Sequence, residues 1–410
     1  MVARSLFQWV LAASVVAAGG CRAGAESVPA PPLVFKLVSS LPRNGAARPQ
    51  SDAIVNGIRQ AIAEKGGRIG AYSVEYADWD DASVQTGDWD MDLEAGNARR
   101  AIADPDVLFY IGPYSSGAAK VSLPILNRAN LVTISPTNTY GGLTKAGASE
   151  PDEPGIYQPS GQITYYRIVP TDDIQGSVAA AFAKAKGWTS IFVVHDGGLF
   201  GQGTADSFVT GAGKLGLRVV SNIAEKIDPR TPEYATILQR LRGLRPEAIY
   251  FGGTAQPNGG RMVRDLLTAA GPAVALLAPN GCFQTTFIKA VGAGLLDGRT
   301  FITFGGLPPA KLTGAGAAFV RAYRQRFKIE PEGYAVNGYV AAQMALQAFE
   351  KAGRKDREAV RRAMIGLGQV GGAMGTWRFD EYGDTTLSTI SVNGVEDGHF
   401  VFVAAVDEPT

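Results

Sequence analysis

The segment VLFYIGPYSSGAAKVSLPILNRANLVTISPTNT, residues Val107–Thr139, decides the fold of this chain. It opens with an apolar run, Val107–Ile111, whose length and composition are typical of a strand buried on both faces. A turn containing Gly and Pro follows at Gly112–Gly117, and the next stretch, Ala118–Arg128, has the pattern of a helix. A second buried strand is predicted at Leu131–Ile134. This order of strand, turn, helix and strand is that of a parallel βα unit.

Hydroxyl side chains follow both of these strands. Ser115 and Ser116 lie in the first turn, and Ser135, Thr137 and Thr139 follow the second strand. Neighbouring parallel strands end at the same edge of a sheet, which is where open α/β sheets bind ligands. Backbone N–H groups at the start of the helix would favour an anionic group such as a carboxylate. The segment therefore predicts a small-molecule site, and it contains no evident pair of nucleophile and base.

Length and composition indicate a globular protein of two domains. The chain has 410 residues, of which 46% are hydrophobic and 19% are charged, and one simple core rarely serves a chain of that length. The formal net charge of +1 gives no indication of a nucleic-acid partner. Nothing in the sequence calls for a cofactor, and we expect none.

The amino terminus has the features of a secretory signal. One arginine precedes the uncharged stretch Ser5–Gly20, which is too short and wrongly flanked for a membrane-spanning helix. Small residues before Cys21 resemble a bacterial lipoprotein cleavage site, with Ala18 where Leu is usual. We expect residues 1–21 to be a lipoprotein-type signal peptide with a lipidated Cys21, and residues 22–32 to be a tether. Ordinary secretion is the alternative.

Cysteine and histidine are scarce. If Cys21 is lipidated or removed, Cys282 stands alone and no intramolecular disulfide can form. A structural zinc site needs about four soft ligands, and the chain has two cysteines and two histidines. We therefore expect no metal site.

Two other patterns are interpreted as structural. The acidic runs within residues 78–92 lack the spacing of a calcium loop, so we expect a solvated loop that Trp79 and Trp89 anchor. His195 is predicted to end a strand, and Asp196 to start a turn, instead of forming an acid–base pair.

Strand and helix patterns alternate through the first half of the chain and restart near Tyr165, which predicts two parallel sheets covered on both faces. The predicted strands are Leu33–Ser39, Tyr72–Ala77, Val107–Ile111, Leu131–Ile134, Tyr165–Val169, Ser190–His195, Leu217–Ile223, Ala248–Gly252 and Val274–Ala278. The predicted helices are Ser51–Lys65, Met91–Ala103, Ala118–Arg128, Gln175–Lys186, Thr204–Leu215, Tyr234–Leu244, Gly260–Ala270, Gly314–Phe327 and Tyr334–Ala352. Residues 140–163 break the pattern and are predicted to be a long surface excursion.

The carboxyl-terminal tail has a different pattern. The segments Gly375–Asp380, Leu387–Val392 and His399–Val406 are predicted to be antiparallel strands. The dipeptide Asn393-Gly394 is typical of a hairpin turn and is predicted to join the last two.

Four loops that follow predicted strands carry polar or aromatic side chains: Gly112–Gly117, Ser135–Tyr140, His195–Gly203 and Pro279–Phe283. Any one polar loop would indicate little, because such loops are common. Four of them behind a secretion signal favour a small-molecule cleft between two lobes.

Seven motifs occur in order across residues 33–410: YIGPYSSG, ISPTNT, YRIVPTDDIQG, VVHDGGLFGQG, YFGG, APNG and YAVNGYVAAQMAL. This series resembles the periplasmic substrate-binding proteins of ABC transporters, type I fold, in the branched-chain amino acid (Leu/Ile/Val) family. The resemblance implies an α/β fold of two doubly wound parallel-sheet lobes joined by a three-segment hinge. It implies that residues 33–166 plus 306–376 form lobe 1 and residues 167–305 plus 377–410 form lobe 2. The hinge segments are expected near Arg167–Pro170, Phe301–Gly305 and Thr376–Phe379.

The resemblance also implies roles for individual residues. In that family the carboxylate of the ligand is held at the positions of Ser116, Thr137 and Thr139, and we include the adjacent Ser115. An aromatic residue of the second lobe packs on the ligand, and Phe200 occupies that position. A further aromatic residue, Tyr334, is expected to line the pocket.

Two departures from the family pattern concern the ligand. Asn280 stands where the family commonly has an acidic partner for the ligand's ammonium group, and an amide can accept a hydrogen bond but supplies no negative charge of its own. Asp172 is the candidate substitute. The loop Leu41–Gln50 carries Arg43 and Arg48, which would suit a second carboxylate on the ligand or simply be solvated.

These observations predict a non-enzymatic solute receptor located outside the cytoplasm, in the periplasm or on the outer face of the cytoplasmic membrane. We expect a monomer that binds a small carboxylate-bearing solute, an aliphatic amino acid by default, closes about its hinge and delivers the solute to an ABC permease. A sensor of the same fold is one alternative. A secreted hydrolase is another, although the chain has no G-x-S-x-G elbow.

Overall fold

The structure is a computed structural model, and it describes residues 33–147, 150–221, 224–228, 230–256 and 258–407. The predicted signal peptide, Cys21 and the tether lie outside these residues. The first elements are β1 (Val34–Leu41), α1 (Arg48–Glu64), β2 (Arg68–Ile69), β3 (Tyr72–Asp80), α2 (Met91–Ala103), β4 (Val107–Ile111), α3 (Ser116–Arg128), β5 (Val132–Ser135) and β6 (Tyr165–Arg167).

The next elements are α4 (Asp172–Ala185), β7 (Ser190–His195), α5 (Leu199–Lys214), β8 (Arg218–Val219), β9 (Glu225–Lys226), α6 (Glu233–Leu244), β10 (Ala248–Gly252), α7 (Gly259–Ala270), β11 (Ala275–Ala278), α8 (Thr285–Val291), α9 (Ala293–Leu296) and β12 (Thr300–Gly305). The last are α10 (Gly314–Phe327), α11 (Ala335–Ala352), α12 (Arg357–Ile365), β13 (Val370–Gly372), β14 (Gly375–Trp377), β15 (Ile390–Glu396) and β16 (His399–Val406).

Two sheets form the cores of two lobes. The sheet of lobe 1 has the order β2-β3-β1-β4-β5-β6 and is parallel apart from the β2–β3 pair. The sheet of lobe 2 has the order β16-β15-β12-β11-β10-β7-β8, with β9 also paired to β7, and is antiparallel only at β12–β15 and β15–β16. Every residue of β4, β7 and β10 is buried, as expected for strands covered on both faces. The predicted α/β fold of doubly wound parallel sheets is confirmed.

The chain passes between the lobes at three places. The first crossing, residues 168–171, follows β6 directly. The second begins at Gly306, because the stretch expected to be a hinge at Phe301–Gly305 is β12, a strand held between β11 and β15.

The third crossing lies later in the chain than the predicted Thr376–Phe379. The Phe379 ring still packs on Tyr166 of lobe 1, with 4.9 Å between ring centroids. Residues 385–389 then lead into β15 of lobe 2, where the carbonyl of Thr389 accepts a hydrogen bond from the N–H of Gly306 at 2.8 Å.

One prediction from local sequence was wrong. Asn393-Gly394 is not a turn but lies inside β15, where Asn393 pairs with Ile302 of β12 and with Phe402 of β16. The hairpin turn lies at Asp397-Gly398, which both have positive φ, 49° and 74°. A two-residue turn of this kind needs that conformation, and Asp-Gly provides it.

The excursion at residues 140–163 packs more closely than a surface loop. Tyr157 is buried and packs in one apolar cluster with Tyr140. The carboxylate of Glu153 is also buried, where it accepts a hydrogen bond from the Tyr140 hydroxyl at 2.9 Å and pairs with the Lys120 ammonium at 2.7 Å. These contacts fix the excursion to α3.

We predict that the buried ion pair of Arg167 and Asp384 stabilises the lobe junction. Arg167 is fully buried, and its Nε lies 2.6 Å from Oδ1 of Asp384. Asp384→Ala should lower the free energy of unfolding by about 3–5 kcal/mol, because it leaves a buried charge without its partner. Glu350→Ala, which removes an exposed pair with Lys65, is the control and should cost less than about 1 kcal/mol. Urea titrations followed by circular dichroism would measure both, and similar small losses would contradict the prediction.

Candidate functional site

A cavity of about 210 Å³ lies between the two lobes, where the carboxyl ends of both sheets face each other. Six residues predicted from the sequence line it: Ser115, Ser116, Thr137, Phe200, Asn280 and Tyr334. The lining residues that were not predicted as site residues include Asp88, Trp89, Tyr114, Asp196, Thr254 and Gln256. Of the predicted residues, Thr139 and Asp172 do not line this cavity.

Lobe 1 presents the amino terminus of α3 to the cavity. The chain leaves β4 through Gly112, whose φ is +132° and where a Cβ atom would lie 2.5 Å from the Ser40 carbonyl oxygen. Glycine is therefore required at the turn that brings Ser115 and Ser116 to the cavity wall. Ser115 is the N-cap residue, yet its hydroxyl makes no capping bond to the helix. This hydroxyl and the first-turn N–H groups of α3 suit an anionic ligand group.

The Thr137 hydroxyl is already committed within lobe 1. It donates to the Tyr114 carbonyl at 2.7 Å, so towards the cavity its oxygen is an acceptor. Thr139 is buried behind this wall, where its carbonyl accepts the N–H of Asp172 at 2.9 Å. Of the hydroxyls predicted to hold a carboxylate, those of Ser115 and Ser116 are thus the best placed to donate.

Lobe 2 contributes an aromatic wall. Phe200 lies in the first turn of α5, and its ring rests against Gly281, where a Cβ atom would come within 2.7 Å of it. Tyr334 faces it from lobe 1, with the Tyr114 ring at right angles at a centroid distance of 6.5 Å. Aromatic rings in this arrangement fit an apolar part of a small ligand.

The Asn280 side chain bonds to two other side chains of the protein. Its Oδ1 accepts from Gln175 Nε2 at 2.8 Å, and its amide donates to the Tyr334 hydroxyl. Asn280 therefore joins the two lobes, and its amide carries no negative charge to pair with an ammonium group. This is a structural role that the sequence pattern did not predict.

A loop of lobe 1, residues 82–90, forms one rim of the cavity and is named the rim loop. It was predicted to be a solvated loop, but it places Asp88 and Trp89 in the cavity wall. Ala82 and Trp89 form a β-bridge at its base, and at its tip the Gly87 carbonyl accepts a hydrogen bond from the Gln256 side chain of lobe 2. The rim loop therefore spans the mouth of the cavity.

The acidic side chains of the cavity are Asp88 and Asp196. Asp196 accepts hydrogen bonds from the N–H groups of Gly198 at 2.9 Å and Thr254 at 3.1 Å. Burial, with a smaller contribution from the negative charge of Asp88, raises the pKa of Asp196 to about 6. Burial also raises the pKa of Asp88. The neighbouring His195 accepts the N–H of Gly197 at 3.2 Å, and burial with the charge of Lys226 lowers its pKa to about 4.

Arg43 and Arg48, which were suggested to bind a second carboxylate of the ligand, lie outside the cavity wall. Arg43, which directly follows the cavity-lining Pro42, pairs with Asp52 at 2.6 Å and Asp78 at 3.2 Å. Arg48 is the first residue of α1, and Pro49 follows it in the first turn. Proline is favoured at the start of a helix, where its missing N–H costs nothing. Neither lines the cavity.

Asp172 begins α4 and lines a second, more open hollow between the lobes, together with Tyr140 and Gln202. Its side chain is buried, and burial raises its pKa from the ordinary 3.8 to about 7, against the opposing effects of Thr139 and Arg167. The folded protein thus holds a proton on Asp172 at pH values where the unfolded chain has released it. Its contribution to the free energy of unfolding should fall as the pH rises from about 4 to about 7.

We expect Asp172→Asn to gain stability relative to the native chain as the pH is raised from 5 to 8, since the amide never ionises. The limiting slope for one proton is about 1.4 kcal/mol per pH unit. Asp173→Asn, exposed on the same helical turn, is the control. Urea titrations at several pH values would test this, and a difference independent of pH would argue against it.

Gly117→Ala tests the contact between Trp89 and α3. A Cβ atom at Gly117 would lie 2.6 Å from the Trp89 ring, so the ring must move. The variant should lose about 1–3 kcal/mol of stability through overpacking. Gly96→Ala in α2, where a Cβ meets nothing within 4 Å, is the control and should be neutral or stabilising. Chemical denaturation of both variants is the measurement, and equal effects would reject the contact.

The sequence pattern of the periplasmic binding protein family matches residues 36–398, and the chain belongs to that family. It is a substrate-binding protein, and the family implies a location outside the cytoplasm. Among the residues that the structure describes, no helix is long and apolar enough to cross a membrane.

The chain is 28% identical over 366 residues to the Leu/Ile/Val-binding protein BraC3 of Rhizobium johnstonii, covering 88% of this chain and 91% of that protein. Two solved structures share its fold. The branched-chain amino acid transporter substrate-binding protein LivJ of Streptococcus pneumoniae, in complex with isoleucine, is 19% identical with a TM-score of 0.77, over 91% of this chain and 99% of LivJ. A solute-binding protein of an ABC transporter from Rhodopseudomonas palustris HaA2, in complex with p-hydroxybenzoic acid, is 18% identical with a TM-score of 0.76, over 92% and 98% of the two chains.

Proposed function

We propose that this protein captures a small carboxylate-bearing solute, a branched-chain amino acid by default, and delivers it to the permease of an ABC importer. The observation that carries the proposal is the cavity between the lobes, with hydroxyls and a helix amino terminus on one wall and Phe200 on the other. The relationship to the Leu/Ile/Val-binding protein BraC3 supports an amino acid as the ligand. In this proposal the chain acts as a monomer, held to the membrane only by the lipid on Cys21.

Ligand capture would proceed by closure of the lobes. A carboxylate would first bind lobe 1, where Ser116 and the start of α3 supply donors. Phe200 of lobe 2 then covers the apolar part of the ligand. Contacts across the cleft, from Gln256 to the Gly87 carbonyl and from Gln50 to the Phe283 carbonyl at 2.6 Å, form only when the lobes meet. Free energy for closure comes from ligand contacts made in the closed state alone.

The direct experiment is a thermal-shift screen followed by calorimetry with L-leucine, L-isoleucine, L-valine and p-hydroxybenzoate. A ligand at one hundred times its Kd should add about 2.7 kcal/mol of stability. Small-angle scattering with and without the ligand would measure closure. Failure of every amino acid and every small carboxylate to bind would overturn the proposal.

Ser116→Ala should weaken the binding of L-leucine roughly tenfold to a hundredfold, because a hydrogen bond to a charged carboxylate is lost. Ser160→Ala, at an exposed position outside the cavity, should leave affinity unchanged. Titration calorimetry compares the two, and native affinity in Ser116→Ala would remove this residue from the site.

A further inference from the structure

The charged side chains that line the cavity, among the described residues, are all acidic. Asp88 of the rim loop lies on lobe 1, and Asp196 at the end of β7 lies on lobe 2. Among the described residues that line the cavity, none is Lys, Arg or His. A carboxylate ligand entering this space meets the two carboxyl groups of the protein with no basic side chain to balance them.

Both aspartates are held in place without being neutralised. Asp196 accepts only backbone N–H groups, those of Gly198 and Thr254. Asp88 accepts the N–H of Trp89 at 2.9 Å. An ionised carboxylate has about four acceptor sites, so each retains lone pairs for a donor on the ligand.

The two carboxyl groups belong to parts of the two lobes that meet at the cavity. The hydrogen bond between Gln256 and the Gly87 carbonyl joins the rim loop, one residue before Asp88, to the loop that also holds the Asp196 carboxylate through Thr254. The electrostatic effect of Asp88 on Asp196 is present in this arrangement. Like charges brought together oppose closure unless something positive lies between them.

We propose that a positively charged group of the ligand binds between Asp88 and Asp196, one carboxylate from each lobe, and that this pair selects amino acids over plain carboxylates. The inference rests on the proposed function and assigns the recognition of charge within the same cavity. It places the ammonium partner away from position 280, because Asn280 is uncharged and already bonds to Gln175 and Tyr334.

The pair links ligand identity to closure. A ligand ammonium group cancels the repulsion between the two carboxylates and donates hydrogen bonds to both, so it is bound more tightly in the closed state than in the open one. An aromatic or aliphatic acid without an ammonium group adds a third negative charge to the cavity. It neither cancels the repulsion between the two carboxylates nor donates hydrogen bonds to them. The rim loop thus determines which ligands close the protein.

The test compares L-leucine with 4-methylpentanoate, which is leucine without its ammonium group, by titration calorimetry on the full chain. The native protein should bind leucine at least about tenfold more tightly than 4-methylpentanoate. Asp88→Asn and Asp196→Asn should each weaken the binding of leucine by about tenfold or more. Each should also reduce the difference in affinity between leucine and 4-methylpentanoate. Asp92→Asn, exposed at the start of α2 and outside the cavity, is the matched control and should change neither affinity.

The outcomes separate this inference from the proposed function. If the native protein binds 4-methylpentanoate or p-hydroxybenzoate as tightly as leucine, the solute-binding function stands and the acidic pair is rejected. Native leucine affinity in both asparagine variants also rejects the pair. Binding of none of the three overturns both. Thermal melts by circular dichroism would identify an unfolded variant. If Asp196→Asn unfolds, Asp88→Asn still provides the test, since among the described residues the Asp88 side chain bonds only to its own loop.

Discussion

The structure depends on one constraint: two parallel sheets must end at the same gap. Open α/β sheets bind ligands at the carboxyl edge of their parallel strands, and each lobe turns that edge towards the other. The contacts that join the lobes are apolar as well as polar, since the Phe304 ring of lobe 2 packs on the Tyr334 ring of lobe 1 at 4.9 Å between centroids and hydrogen bonds also cross between the lobes. The Asn280 side chain illustrates the polar contacts, since it bonds to Gln175 within its own lobe and to Tyr334 of the other. The residues that line the cavity are therefore supplied by loops and first helical turns of both lobes.

The sequence predicted most of what each core requires. Buried runs such as Val107–Ile111 are bounded by glycine and proline, so both the strands and the turns after them are encoded locally. The placement of Ser115, Ser116 and Thr137 on one wall followed from the same reasoning. Asn393-Gly394 shows where local encoding fails, because pairing with two neighbouring strands outweighs the turn preference of the dipeptide.

The residues of the site that the sequence did not predict depend on contacts between distant segments. Asp88 and Trp89 lie in an acidic loop with no periodic pattern, and they reach the cavity because Gly117 leaves room for the indole ring. Asp196 directly follows a strand, and in the sequence it resembles an ordinary turn residue. Its place in the cavity wall is evident only when both lobes are considered. Arg43 is the opposite case, a residue that the sequence suggested for ligand binding and that does not line the cavity. Its charge pairs with Asp52 and Asp78. Proteins of this same fold hold isoleucine or p-hydroxybenzoic acid, so the fold leaves the choice of ligand to such residues.

The buried guanidinium of Arg167 has a consequence for how the halves can move. It connects the last strand of one lobe to Asp384 and, through the Tyr140 carbonyl at 2.7 Å, to the excursion beside it. Two of the three connecting segments are thereby anchored to a common point where they leave lobe 1. The ion pair thus fixes where two of the connecting segments leave lobe 1, so that any hinge movement between the halves must take place beyond it.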